Sequence, residues 1–167
     1  PSVLTIDRQA NYPSLGAVVT LRTLPADRIE AVGCKELSVS KSMRIFREGK
    51  WIDSESFAVG DRVQVSLVVN ADTDIDYLVI NDLRAAGLEP VEQLPTPIVC
   101  EGLYFYRENR DSQTNIFIDS VPRGVYVLAY ELFASQAGTF TSGAAQAQSL
   151  YNPAVAAHSS GAEVVIK

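Results

Sequence analysis

The most regular signal along the chain is a period of two. Leu37, Val39, Met43 and Ile45 alternate with Ser38, Ser40, Ser42 and Arg44, and Val63, Val65, Leu67 and Val69 alternate with Gln64, Ser66 and Asn70. Successive side chains of an extended chain point to opposite faces, so this spacing predicts two strands, each with one face in a core and the other in water. Lys41 falls on the apolar phase of the first strand. Either a bulge that shifts the register or a lysine whose ammonium snorkels out to solvent accommodates it. Ahead of the second strand, Val59-Gly60-Asp61 reads as a turn whose glycine supplies a positive φ.

Further strands are predicted at 77–81, 102–107, 114–119, 124–134 and 162–166, with turns rich in Gly, Pro, Asn and Asp between them. Helical spacing is almost absent. Residues 142–160, rich in Ala, Gln and Ser and interrupted by Pro153, suit a short helix, a loose strand at 146–151 or an ordered loop. Short strands without intervening helices predict an all-β fold, an antiparallel β-sandwich of the fibronectin-III-like kind with about seven strands. Val121-Pro122-Arg123-Gly124-Val125-Tyr126 adds a local signature: Tyr126 is either a corner tyrosine whose hydroxyl bonds back to upstream backbone or a plain strand aromatic. At the start, Ala17, Val19 and Leu21 form an isolated alternating strand, and Leu24-Pro25-Ala26-Asp27 opens a linker ending near Gly33. The expected organisation is a lead segment at 1–33, finishing the sheet of a preceding domain, and a sandwich at 34–167. The start at Pro1 without Met suggests a trimmed product or a piece of a longer chain.

The length of 167 residues is enough for one domain that buries roughly two thirds of its unfolded surface without metals or disulfides. Fourteen Lys and Arg against 20 Asp and Glu give a net charge of −6, which argues against nucleic-acid and anionic-membrane partners. No apolar run approaches the roughly 18 residues of a membrane span, and no basic-then-apolar leader opens the chain. Cys34 and Cys100 allow one disulfide or two buried thiols.

No constellation reads as catalytic, metal-binding or cofactor-binding. His158 is followed by Ser159 and Ser160, but neighbours in sequence rarely face each other as base and nucleophile. Asp72, Asp74 and Asp76 open like a calcium loop, yet Tyr77 and Leu83 stand where glycine and glutamate are required, so a solvated hairpin turn is the simpler reading. Glu89, Glu92 and Glu101 carry no second motif. Tyr104 and Tyr106 flank Phe105 on the opposite phase from Leu103; they either form a solvated strand face or dock on a neighbour, with Arg107, Arg110 and Arg123 as a polar rim.

Several segments, taken in order, resemble a known family. They are Val59-Gly60-Asp61-Arg62-Val63, Tyr77-Leu78-Val79-Ile80, Leu83-Arg84-Ala85-Ala86-Gly87-Leu88-Glu89-Pro90-Val91, Asp111-Ser112-Gln113-Thr114-Asn115-Ile116-Phe117, Pro122-Arg123-Gly124-Val125-Tyr126, Gly138-Thr139-Phe140 and Tyr151-Asn152-Pro153. Over residues 35–167 the chain is similar to the C-terminal macroglobulin-like domain of bacterial α2-macroglobulins, in a Bacteroides-like version. The resemblance implies a periplasmic or cell-envelope parent, a lipoprotein that traps host or environmental proteases, in many members with a Cys-x-Glu-Gln thioester in a separate domain. Here Pro90-Val91-Glu92-Gln93 has proline in the cysteine position, so the resemblance implies no covalent chemistry in this chain. Gly87 stands where similar sequences often have Cys. The implied role is docking on other domains of the same parent chain, without membrane contact by this piece, and the candidate contacts are Tyr104, Tyr106, Tyr151 and Pro153. The competing reading is a fibronectin-like adhesion or carbohydrate-binding module, which requires exposed flat aromatics, whereas Trp51 is the only tryptophan and falls in a turn after Gly49-Lys50.

Overall fold

A computed structural model describes residues 28–167, and the regular elements among them are all β-strands. They run β1 (Leu37–Arg47), β2 (Lys50–Asp53), β3 (Ser56–Phe57), β4 (Arg62–Ala71), β5 (Ile75–Leu83), β6 (Leu88–Pro90), β7 (Thr96–Cys100), β8 (Leu103–Asn109), β9 (Gln113–Val121), β10 (Gly124–Ala134), β11 (Gly138–Ser142), β12 (Ala145–Ser149), β13 (Ala156–His158) and β14 (Ala162–Ile166). The isolated strand expected around Ala17 to Leu21 lies outside the described residues. Fourteen strands replace the expected count of about seven, because several are only two to five residues long, too short for alternation to register.

One sheet has the order β2-β1-β4-β10-β6 and the other β13-β12-β5-β9-β8-β7, while β11-β14-β3 forms a third, smaller sheet. Every pairing is antiparallel except that of β14 with β3. Val63, Val65, Leu67 and Val69 of the first sheet and Leu78, Ile80, Ile116 and Ile118 of the second join one core. Each such side chain contributes about 1.5–3 kcal/mol by leaving water, which the alternation arranges on one face only.

The ambiguous stretch 142–160 resolves into the end of β11, then β12 and β13, with Leu150 and Tyr151 in the connecting loop. Gly60 adopts φ of 91°, as its turn requires, and its N–H reaches Ala134 O at 2.8 Å. Tyr126 is a corner tyrosine: its hydroxyl donates to Pro122 O at 2.9 Å. Tyr126→Phe is expected to lower unfolding free energy by about 1 kcal/mol in urea titration, the worth of one such bond.

Gly87 is set by packing. A Cβ there would meet Phe140 Cε2 at 2.4 Å and Ile166 Cδ1 at 2.8 Å. Gly87→Ala forces the ring of Phe140 aside and is expected to destabilise the fold by about 1–3 kcal/mol, read as a lower urea midpoint at unchanged slope.

Candidate docking face and buried polar cluster

Alternation along β8 sends Leu103, Phe105 and Arg107 inward and Tyr104 and Tyr106 outward, where they are 59% and 40% exposed. The ladder then places Pro97, Tyr106, Phe117, Val79 and Gln148 in one row across five strands. Tyr106 and Phe117 lie with ring centroids 6.4 Å apart. Tyr104 faces Val99 in the next row.

Three strand spacings from β8, roughly 14 Å, β12 ends and the chain turns through Leu150, Tyr151, Asn152 and Pro153. The Tyr151 ring is 75% exposed and stands edge-on to Tyr77, at 4.7 Å and 86°. Tyr77 itself has φ of 51°, a left-handed conformation that costs a side-chain-bearing residue on the order of 1 kcal/mol or more. The loop is tied down around it: Leu150 N donates to Tyr77 O at 2.9 Å, Ser149 Oγ to Asp76 O at 3.0 Å, and Gln148 Nε2 to Pro153 O at 3.1 Å. Beside Tyr151 lies a cavity of about 310 Å³ whose lining includes Glu36, Asp74 and Asp76. Thus Tyr104 and Tyr106 occupy one side of the six-stranded sheet, and Tyr151 and Pro153 the loop toward its opposite edge. Sequence reasoning does not single out Phe117 or Tyr77. The available signal for Phe117 is an aromatic on the solvent phase between Ile116 and Ile118.

Lys41 is neither bulged nor snorkelling. The β1–β4 register runs unbroken from Leu37↔Ala71 to Ile45↔Val63, and the lysine side chain is only 4% exposed. Its Nζ has four acceptors within hydrogen-bond reach, Asp82 Oδ1 at 2.5 Å, Leu83 O at 2.9 Å, Ser142 Oγ at 2.9 Å and Gly143 O at 3.2 Å, for its three N–H donors. Asp82 is wholly buried, and Tyr130 Oη donates to its other oxygen. Burial pushes the Asp82 carboxyl above its usual range, with Lys41 pulling the other way. Burial and the neighbouring Asp82 push the Tyr130 phenol well above its ordinary value. The Arg107 guanidinium sits 5.9 Å from the Tyr130 ring centroid and pairs with Glu92. Arg107 is therefore a buried group rather than part of a rim, because it shares the inward phase of Leu103 and Phe105. Arg110 and Arg123 remain at the surface, the former paired with Glu108. On that outer face, hydrogen bonds from Asn115 and then Arg110 hold the Glu108 carboxyl below its usual range.

Some of the other flagged groups have structural partners. Asp74 Oδ1 accepts from Arg123 N at 2.7 Å, and Glu101 Oε2 from Val127 N at 2.9 Å. Ser159 Oγ accepts from Ala145 N and donates to Ser160 O, while His158 exchanges two backbone bonds with Val32 and places Nδ1 3.1 Å from Ser159 O. Cys34 and Cys100 are both free thiols. Trp51 belongs to β2 rather than to a turn, since Glu48 and Gly49, with φ of 50° and 79°, make the reversal. Its ring leans on Phe46 at 5.2 Å and 61°.

The family model described as Bacterial Alpha-2-macroglobulin MG10 domain matches residues 37–154. Among solved structures, Salmonella alpha-2-macroglobulin reacted with methylamine superposes with a TM-score of 0.71 at 24% identity, over 86% of this chain and 10% of that one. Trypsin activated alpha-2-macroglobulin from Escherichia coli gives a TM-score of 0.67 at 19% identity, over 83% of this chain and 11% of that one. A Dictyostelium discoideum protein, Circularly permutated Ras protein 2, is 29% identical over 110 residues, which is 65% of this chain and 3% of that protein. The chain thus spans about a tenth of the bacterial chains it superposes on. With the family model covering most of the sandwich, from β1 to the Tyr151 loop, the chain belongs to the family of bacterial alpha-2-macroglobulin MG10 domains.

Proposed function

We propose that this domain is a non-catalytic docking module in a bacterial α2-macroglobulin-like protease trap, an endopeptidase inhibitor, and that it packs on sibling domains of the same chain to hold the uncleaved state. The observation that carries this reading is the aromatic outer surface of the six-stranded sheet. Tyr104 and Tyr106 turn away from a core that Leu103 and Phe105 already fill, and Tyr151 projects from a loop held by its own hydrogen bonds. Large, rigid, amphipathic rings are the side chains that anchor protein interfaces. The Salmonella and trypsin-activated Escherichia coli relatives on which this domain superposes are several times its length, so sibling domains are the natural occupants. An Escherichia coli relative described as trypsin activated supports proteases as the indirect partners. A non-catalytic role is supported by the commitment of the Ser159 hydroxyl and the Glu92 and Glu101 carboxylates to structural bonds. The same reading places the domain in the periplasm or cell envelope, in a lipoprotein parent.

The carbohydrate-binding alternative would have to use those same exposed tyrosines, because Trp51, the one tryptophan of the sequence, leans on Phe46. Calorimetry of this chain with the remainder of its parent, before and after treatment with a broad protease, tests the proposal. Binding to the intact parent that weakens after cleavage is the expected result. No binding to either state of a folded parent would remove the docking role.

A further inference from the structure

We infer that Lys41 and Asp82 form a self-condensing pair, in which the lysine amine and the aspartate carboxyl join as an amide that staples the two sheets together. Lys41 belongs to β1 of the five-stranded sheet and Asp82 to β5 of the six-stranded one. Their side chains are 4% and 0% exposed and meet at 2.5 Å. That contact holds Nζ against the carboxyl group whose Cγ it would attack. Leu83 O, Ser142 Oγ and Gly143 O surround the same nitrogen and hold it in place. Tyr130 Oη donates to the other carboxyl oxygen, Oδ2, and so supports the charge that develops there when Cγ becomes tetrahedral.

The step balances within the pair. Lys41 Nζ passes a proton to Asp82 Oδ1, and the freed lone pair forms the Nζ–Cγ bond. The Cγ–Oδ1 bond breaks, and Oδ1 leaves with a second proton from the nitrogen as one molecule of water. Oδ2 stays as the amide oxygen, with no change of oxidation state and no co-reactant. Two buried charges disappear, which favours the product in a medium that solvates them poorly. Hydrolysis in the reverse direction requires water to enter a packed core. Burial also favours the protonated carboxyl, the form whose carbon accepts a nucleophile.

Intact mass spectrometry of the folded chain is expected to read one water below the mass of its sequence, and proteolysis is expected to release a branched peptide joining the Lys41 and Asp82 segments. Lys41→Arg keeps a cation against Asp82 but has no nucleophilic amine, so it is expected at its full sequence mass. Folded wild-type protein at full sequence mass would overturn the inference, as would a water loss that maps to other residues or persists in Lys41→Arg. The branched peptide decides the question in wild-type protein even where the variant does not fold.

Discussion

Replacing Lys41 by methionine is expected to destabilise the domain by about 3–5 kcal/mol at neutral pH, the usual consequence of leaving a buried carboxylate without its partner. Methionine matches the lysine stem in length, so the loss comes from chemistry rather than from a cavity. In the variant Asp82 would keep its bond from Tyr130 but remain a buried carboxyl with neither a cation nor an amide bond to Lys41 to offset its desolvation. The pH dependence has a definite sign. In the variant, where Asp82 is a free carboxyl without Lys41 to pull it down, burial holds it above its ordinary range in the folded state. A carboxyl with a raised folded-state pKa favours the fold below its unfolded value and ceases to do so as pH rises through the folded value. The variant should therefore recover part of its deficit relative to wild type as pH falls toward the ordinary aspartate range. Urea unfolding of both proteins across that window reads the difference. A deficit that stays constant with pH would locate the loss in packing instead.

Replacing Tyr151 by alanine is expected to weaken association with the rest of the parent chain by about 2 kcal/mol, roughly thirtyfold in Kd, while the stability of the isolated domain stays within about 0.5 kcal/mol. The two effects separate because the ring is mostly exposed and its aromatic neighbour Tyr77 is itself at the surface. What makes Tyr151 a strong candidate is the order of its loop. The bonds from Leu150 N, Ser149 Oγ and Gln148 Nε2 hold the backbone before any partner arrives, so little further entropy is lost on docking. Tyr151→Phe retains the ring and should bind nearly as wild type. If Tyr151→Ala binds normally while Tyr104→Ala or Tyr106→Ala does not, docking uses the β8 side of the sheet and the loop has another role. Calorimetry with the cleaved and uncleaved parent distinguishes these outcomes.

The particular elements show where local pattern suffices. β1, β4, β8 and β10 are long enough for alternation to mark their inner faces, and the positions so marked, such as Met43, Leu67, Phe105 and Leu128, are buried. Tyr126 is legible because its hydroxyl reaches only four residues back, to Pro122. β3, β6 and β13 are two or three residues long and exist because a longer neighbour supplies hydrogen-bond partners, which no short window of sequence displays. Arg107 follows the alternation faithfully, yet its charge suggests the surface; Glu92, 15 residues away, and the Tyr130 ring make its inward position tolerable.

The sequence by itself determined that this is an all-β chain, which residues of its long strands face inward, and which tyrosines of β8 face out, because each depends on a period of two and on turn residues a few positions apart. It also carried, through motifs in a fixed order, the resemblance to bacterial α2-macroglobulins. Only the tertiary structure decided the fate of Lys41, since its partners Asp82 and Ser142 are 41 and 101 residues away and arrive from other strands. The same holds for the pairing of Tyr77 with Tyr151 and for the row that joins Tyr106 to Phe117 and Val79. A side chain's phase follows from its own strand, but its neighbours are set by which strands lie side by side, and that is fixed by burying both sheets against one another.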